Sequence, residues 1–271
     1  MIASPCPIDL SCDHHVHTRY CGHAQGEMEE YVQAAISKGL RKIIFLEHME
    51  AGIDCGERSW LTDQDFDRYF TEGHRLQQYY RDQLTIGLGV ELGYNPDCRD
   101  ELLTRLGLHD WDQIGLSYHY MPIPDRHGRL RHLNLVSRKP ENIRAMQAAD
   151  PSQLLSHYFM VLTEAITVIR ADHICHLDAA LRFVPNLCFS LRHHEEIAAL
   201  LDQIAAHHMA LEINTSGFVI RGVPYPDRPI IAQALARGIP LVASSDAHRP
   251  ADVGRFFDRL PDILQPGSAD T

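Results

Sequence analysis

The chain has 271 residues, 45% hydrophobic and 23% charged, a globular balance that excludes disordered and fibrous architectures. A formal net charge of −11 disfavours non-specific binding to phosphate backbones, and no apolar run approaches the roughly 18 residues of a membrane span. Residues 1–10 carry neither a basic nor an apolar targeting segment, so a soluble, cytoplasmic protein is expected. Seven cysteines, at 6, 12, 21, 55, 98, 175 and 188, form no Cys-x-x-Cys pair and fit free thiols in a reducing compartment. The anomaly is 18 histidines against 25 lysines and arginines, because imidazole is both the commonest metal ligand and a proton carrier.

Taken in chain order, an apolar strand is predicted at Ile8 to Asp13. Residues 26–39 place Met28, Tyr31, Val32, Ala35 and Ile36 at helical spacing, with Gly39 as the stop. Lys42 to Leu46 reads as a buried strand ending at Glu47 and His48. The alternation continues with a helix over Asp63 to Gln83, a strand over Thr85 to Leu92, a weak helix near 100 and a strand over Gln113 to Ser117. A helix over Ser152 to Arg170, a short strand at His173 to Cys175 and a helix over Leu191 to His207 follow. The last elements are a strand at Ala210 to Ile213, a helix at Ile230 to Arg237 and a strand at Pro240 to Ala243. About seven strand–helix units in this length favour a closed parallel α/β barrel, with an open doubly wound sheet as the alternative. No linker or repeat divides the chain, so one domain is expected over 1–271. Residues 121–150 read as an excursion over the barrel mouth, and 1–8 and 261–271 as loose ends.

The strand ends hold the chemistry. His15 and His17 share one side of extended chain by their spacing. Glu47 and His48, then Glu91, then His119, then His176 and Asp178, then Glu212 and Asn214, then Asp246 and His248 end the later strands. The C-terminal ends of parallel barrel strands converge on one mouth, where catalytic groups collect. His14 should face away from His15. His74, His127, His157, His193, His194, His207 and His208 fall on helices or loops and read as solvated surface. Gly87, Gly89 and Gly93 give GxGxxxG instead of the dinucleotide fingerprint. The bulky His119 closing GLSYH spoils a nucleophile elbow there.

The segments DHHVHTRYCGHA (13–24), FLEH (45–48), GVELGY (89–94), SYHY (117–120), HICHLD (173–178), LEINTSG (211–217) and SSDAHRP (244–250) resemble the polymerase and histidinol phosphatase (PHP) superfamily. The likeness is strongest to its histidinol-phosphatase branch, and runs from about Asp9 to Phe257. It implies a distorted seven-stranded (β/α) barrel with two or three divalent metal ions at its mouth. His15, His17, Glu91 and Asp246 would hold one ion, Glu91, His119 and His176 a second, with Glu91 bridging. His23, His48 and His248 would hold a third. The histidine-rich set suits zinc, or iron or manganese, over magnesium.

Three such ions would give the nine side chains a charge of about +4, a site for an anion. A hydroxide bridging two ions would attack a phosphoryl group in line, without a covalent intermediate. The implied activity is hydrolysis of L-histidinol phosphate, with Glu91, Asp246, His248 and Asp178 as catalytic residues. Asp178 would orient His176 or protonate the leaving alkoxide. Arg19, Arg221 and Arg249 would grip phosphate oxygens, with Arg138 and Lys139 as weaker candidates. Asp178, Glu47 and Glu212 would be acceptors for the amine of histidinol. Alternatives are another small ester such as a nucleotide or sugar phosphate, an amidohydrolase, or a non-catalytic metal-binding module. The partner expected is a small phosphorylated substrate, with neither membrane nor nucleic acid.

Overall fold

The computed structural model describes residues 7–56, 58–124 and 127–264. Its elements run β1 (Cys12–Val16), α1 (Met28–Ser37), β2 (Lys42–Met49), α2 (Asp63–Tyr80), β3 (Thr85–Gly93), α3 (Arg99–Leu106) and β4 (Ile114–Ser117). An antiparallel hairpin of β5 (Tyr120–Pro124) and β6 (Leu130–Asn134) comes next, then α4 (Pro140–Ala148), α5 (Pro151–Val168) and β7 (His173–Ile174). The chain then forms α6 (Leu191–Ala206), β8 (Ala210–Asn214), α7 (Gly217–Arg221), α8 (Arg228–Ala236), β9 (Leu241–Ser244) and α9 (Leu260–Leu264).

Seven strands pair in the order β1-β2-β3-β4-β7-β8-β9, every pair parallel. The last returns to the first through a parallel bridge between Val16 and Ala247, where the His17 amide donates to the Ala247 carbonyl at 2.9 Å. The sheet is therefore nearly closed into a barrel, as expected, and the open doubly wound alternative fails on that bridge.

The two faces of β2 show how the layers form. Ile43 and Phe45 face outward into the large core shared with the helices, while Ile44 and Leu46 pack inside with Cys12 and Cys175. Little space is left there. A Cβ on Gly115 would meet Cys175 Sγ at 2.6 Å and Leu46 Cδ2 at 2.7 Å, so glycine is what the narrow interior admits. The helices begin where the sequence caps them. Thr62 and Asp65 make a reciprocal capping box at α2, whose Phe66, Tyr69, Leu76 and Tyr80 are buried.

Several expectations need correcting. The first strand lies at Cys12–Val16 and not at Ile8 to Asp13, because closure to β9 requires pairing through Val16. The 121–150 excursion is ordered structure in its described part. Its hairpin pairs Tyr120 with Asn134, meets the loop after β2 where the His132 amide donates to the Asp54 carbonyl and the Asp54 amide donates to His132 Nδ1, and is followed by α4. Of the predicted loose ends, 1–6 and 265–271 lie outside the described residues, but 260–264 is helical with Leu260 and Leu264 buried. His193 is 1% exposed, closing the α6 capping box with Ser190 and reaching Ser152. It is not surface.

Candidate metal centre

A bulge in β1 sets the first ligands. Asp13 pairs opposite Ile43 and Val16 opposite Phe45, so two residues of β1, His14 and His15, stand against one of β2, Ile44. Asp13 and Val16 both face outward with their partners, and the two residues between them, His14 and His15, both face the interior. This overturns the expectation that His14 points away. His14 Nδ1 meets Gln113 Oε1 at 2.9 Å below the centre, and Gln113 Nε2 donates to His173 Nδ1 at 2.9 Å. His15 lies above them and His17 at the rim.

Glu91 is the hub. It ends the inward row of β3 with both oxygens ringed by imidazoles. Oε2 lies 3.4 Å from His15 Nε2, 3.6 Å from His17 Nε2 and 2.8 Å from His48 Nδ1. Oε1 lies 3.1 Å from His119 Nε2 and 2.8 Å from His176 Nε2. Asp246 Oδ1 stands 3.4 Å from His17 Nε2 and 3.5 Å from His248 Nδ1. His15 and His17 bring their Nε2 atoms to 2.8 Å of each other, and His23 and His248 bring theirs to 2.9 Å.

The far nitrogens define what these near ones are. His15 Nδ1 is 2.6 Å from Glu212 Oε1 and His119 Nδ1 is 2.9 Å from Glu50 Oε1. Nδ1 of His23 and of His248 reaches the carbonyls of Cys21 and Asp246 at 3.2 and 3.0 Å. Carboxylates and carbonyls only accept, so in each ring a proton sits on Nδ1, and Nε2 of the neutral ring presents a lone pair. Lone pairs then converge on lone pairs at His23 and His248, and on a carboxylate at His119. Glu91 Oε2, fully buried among nitrogens, accepts no hydrogen bond. Such a donor set is at rest only around cations, and it fits divalent metal ions.

The electrostatics show the same demand for positive charge, met by protons on the rings where no cation is bound. Burial opposes charge on His15 and His119, but Glu212 and Glu91 outweigh it at His15 and hold its pKa well above the usual value, while Glu91 and Glu50 raise His119 to about 10. Burial also opposes the Glu91 charge, yet His119, His48 and His15 keep its pKa well below the usual carboxylate range. Burial, reinforced by His48 and His248, holds His17 well below 6.5.

Of the expected third set, the ligand atoms of His23 gather with those of Cys21 and His248, whereas His48 gathers with His17 and His248 or with Glu91 and His119. His48 stacks on His17 at 4.2 Å and is thus drawn toward Glu91, with its ring 5.4 Å from that of His23.

The three carboxylates expected to meet an amine are engaged elsewhere. Glu212 takes His15 on one oxygen and the His176 amide and Asn214 on the other. Glu47 accepts from the Thr18 amide and hydroxyl. Asp178 accepts from Arg221 at 2.9 Å and from the Asp227 amide, makes no contact with His176, and is raised to about 6 by burial against the pull of Arg221. Arg221 also donates to the Pro224 carbonyl and lies over the Tyr225 ring at 4.1 Å. Arg19 is half exposed and pairs with Glu27, and Arg249, Arg138 and Lys139 are exposed. Two residues were missed. Glu50 orients His119, and Arg182, whose buried Nε has no partner, lies 5.8 Å from the Tyr225 ring. No spacing in the sequence pointed to Glu50, whose carboxylate fills the space that Gly93 leaves without a Cβ.

The comparisons with known proteins follow the same lines. The PHP domain model matches residues 13–216 and the PHP-associated model residues 230–262. A Deinococcus radiodurans protein named a probable histidinol-phosphatase is 32% identical over 94% of both chains. The histidinol-phosphatase of Bacillus subtilis is 25% identical over 91% of this chain and 96% of its own. Among solved structures, the Lactococcus lactis histidinol phosphate phosphatase, in complex with zinc, L-histidinol and phosphate, superposes with a TM-score of 0.72 at 18% identity, covering 93% of this chain and 92% of that one. A Listeria monocytogenes protein named as a "putative histidinol phosphatase" superposes at 0.79 and 21% identity, over 92% and 99%. Among the described residues no helix is long and apolar enough to cross a membrane. With a family model spanning most of the chain and a relative above 30% identity along nearly all of it, this protein belongs to the PHP domain family.

Proposed function

We propose that the chain is a metal-dependent phosphomonoesterase that hydrolyses L-histidinol phosphate to L-histidinol and phosphate, working as one domain with its core at about 9–257. The observation that carries this reading is Glu91, one buried carboxylate whose two oxygens face two separate groups of imidazoles. Histidinol-phosphatase relatives along the full length supply the substrate.

The residues that would hold the ions are His15, His17, Glu91 and Asp246 for the first, Glu91, His119 and His176 for the second, and His23, His48 and His248 for the third. Two or three zinc ions are proposed, with iron or manganese as substitutes. Bound there, divalent ions supply Lewis-acid charge and acidify a water molecule for attack on phosphorus.

The protein's own part is positioning. Glu91 keeps the two halves of the site at fixed separation while offsetting charge between them. Glu212 and Glu50 lock the rings of His15 and His119 with Nε2 inward. Asn214 Nδ2 donates to Asp246 Oδ2 at 3.3 Å, leaving Oδ1 toward His17 and His248. We read Asp178 as the residue that sets Arg221, because both its oxygens are taken and it is 3% exposed. Arg221, with Arg249 directly after His248 and Arg19 after the first pair, would meet the non-bridging phosphate oxygens.

The test is steady-state kinetics on zinc-loaded protein. L-histidinol phosphate should exceed p-nitrophenyl phosphate in kcat/KM by at least about a hundredfold, the discrimination a few polar contacts give. Equal efficiencies, or preference for a nucleotide or sugar phosphate, refute the substrate and leave the metal phosphatase. Amide hydrolysis without phosphatase activity refutes both.

A further inference from the structure

Four of the site's histidines have an acceptor at the far nitrogen. Two that are buried do not, His176 and His17, and of these it is His17 that has a carboxylate oxygen facing it. Its Nδ1 is buried without a hydrogen-bond partner, and so is Glu47 Oε2, which faces it across 3.9 Å. Glu47 is fully buried and among the described residues pairs with no lysine or arginine. Its other oxygen, Oε1, accepts from the Thr18 amide at 2.7 Å and the Thr18 hydroxyl at 2.5 Å. A buried carboxylate compensated only by neutral donors is costly unless positive charge stands near it.

We propose that Glu47 is a positioning residue for the metal centre: its orphaned Oε2 accepts a hydrogen bond from the N–H at His17 Nδ1 and thereby turns His17 Nε2, as a lone pair, toward Glu91 and Asp246. Closing the gap asks for a movement of about 1 Å. The imidazole, made more acidic by a bound cation, supplies the positive partner the carboxylate lacks. Thr18 extends the effect, since its hydroxyl also caps the turn Arg19–Cys21 that leads to His23. One side chain at the end of β2 thus braces both His17 and the turn that carries the chain to His23.

Glu47→Gln tests this through hydrogen-bond directionality. The Thr18 amide can only donate, so the glutamine oxygen must stay on it, and the new NH2 then faces His17. His17 can answer only by presenting a lone pair at Nδ1, which moves its proton to Nε2, the wrong tautomer for binding a metal. Zinc affinity, read by competition with a chromogenic chelator, should fall 10–100-fold for one ion per chain. Histidine-resolved 15N NMR should show the His17 proton on Nδ1 in zinc-loaded wild type and on Nε2 in the variant, and Glu47→Asp should keep the wild-type tautomer. The metal-free variant should melt no lower than metal-free wild type.

Unchanged zinc affinity with a lowered metal-free melting point makes Glu47 merely structural and overturns the proposal. A wild-type zinc form without a proton on His17 Nδ1 overturns it too, and needs no variant to fold. The inference rests on His17 holding an ion. If wild type binds no divalent ion, that reading fails first, whereas ions bound by wild type and undisturbed in Glu47→Gln refute Glu47 alone.

Discussion

His173 makes the acid sensitivity of the barrel interior measurable. It is 1% exposed at the start of β7, with Nδ1 accepting from Gln113 Nε2 and Nε2 3.5 Å from Cys175 Sγ. Burial pushes its pKa from 6.5 down to about 3. A depressed folded-state value means that above pH 6.5 the residue is neutral in both states and its stabilisation is complete. As pH falls from 6.5 toward 3, the unfolded chain takes up a proton that the folded chain refuses, and the stabilisation is lost. The slope is about 1.4 kcal/mol per pH unit once below 6.5. Between pH 7.5 and 5.5 this one residue therefore removes about 1.4 kcal/mol of unfolding free energy. His173→Asn keeps an acceptor for Gln113 and cannot titrate, so its loss over the same interval should be smaller by that amount. The assay is urea unfolding at both pH values on metal-free wild type and variant, so that ligand release does not enter. Equal losses in the two proteins would refute the assignment of a neutral, buried His173.

Glu91→Gln keeps the shape of the hub and removes its charge; phosphatase activity should drop at least about tenfold and elemental analysis should show at least one ion fewer per chain. Full activity with full metal content would remove Glu91 from the bridging position. Gly93→Ala drives a methyl into Glu50 and so loosens His119, and a loss of 10–100-fold in activity or zinc affinity is expected, checked by kinetics and chelator competition. Dipicolinate treatment should lower the melting temperature, since ions at a hundredfold their Kd stabilise the fold by about 2.7 kcal/mol, and zinc should restore it. A melting curve indifferent to both would mean that no ion binds the folded state.

The local grammar of the chain was enough for its chemistry. Helical and strand periodicity, with glycine and capping residues between, predicted α1, α2, α5, α6 and α8 and six of the seven barrel strands close to where they fall. HxH, Glu91, His119, His176 and the terminal DxH sit at strand ends because parallel strands all end on one side of the barrel, and that follows from the order of elements. Short, non-periodic pieces were not legible. The hairpin at 120–134 alternates with prolines and charges instead of apolar residues, and α4 is a brief helix of nine residues.

What tertiary structure decided is which atoms meet. Glu212 reaches His15 across 197 residues of sequence and Glu50 reaches His119 across 69, distances at which no spacing rule operates. The bulge that turns both His14 and His15 inward comes from a register between two strands, not from either strand alone. Asp178 looked like a partner for His176 because it lies two residues away, and the fold gave it to Arg221 instead. A carboxylate's role is set by what closes around it once water is excluded. The sequence could name the candidate ligands, because ligand chemistry belongs to residue types, but the proton on each imidazole depends on partners that only folding brings into contact.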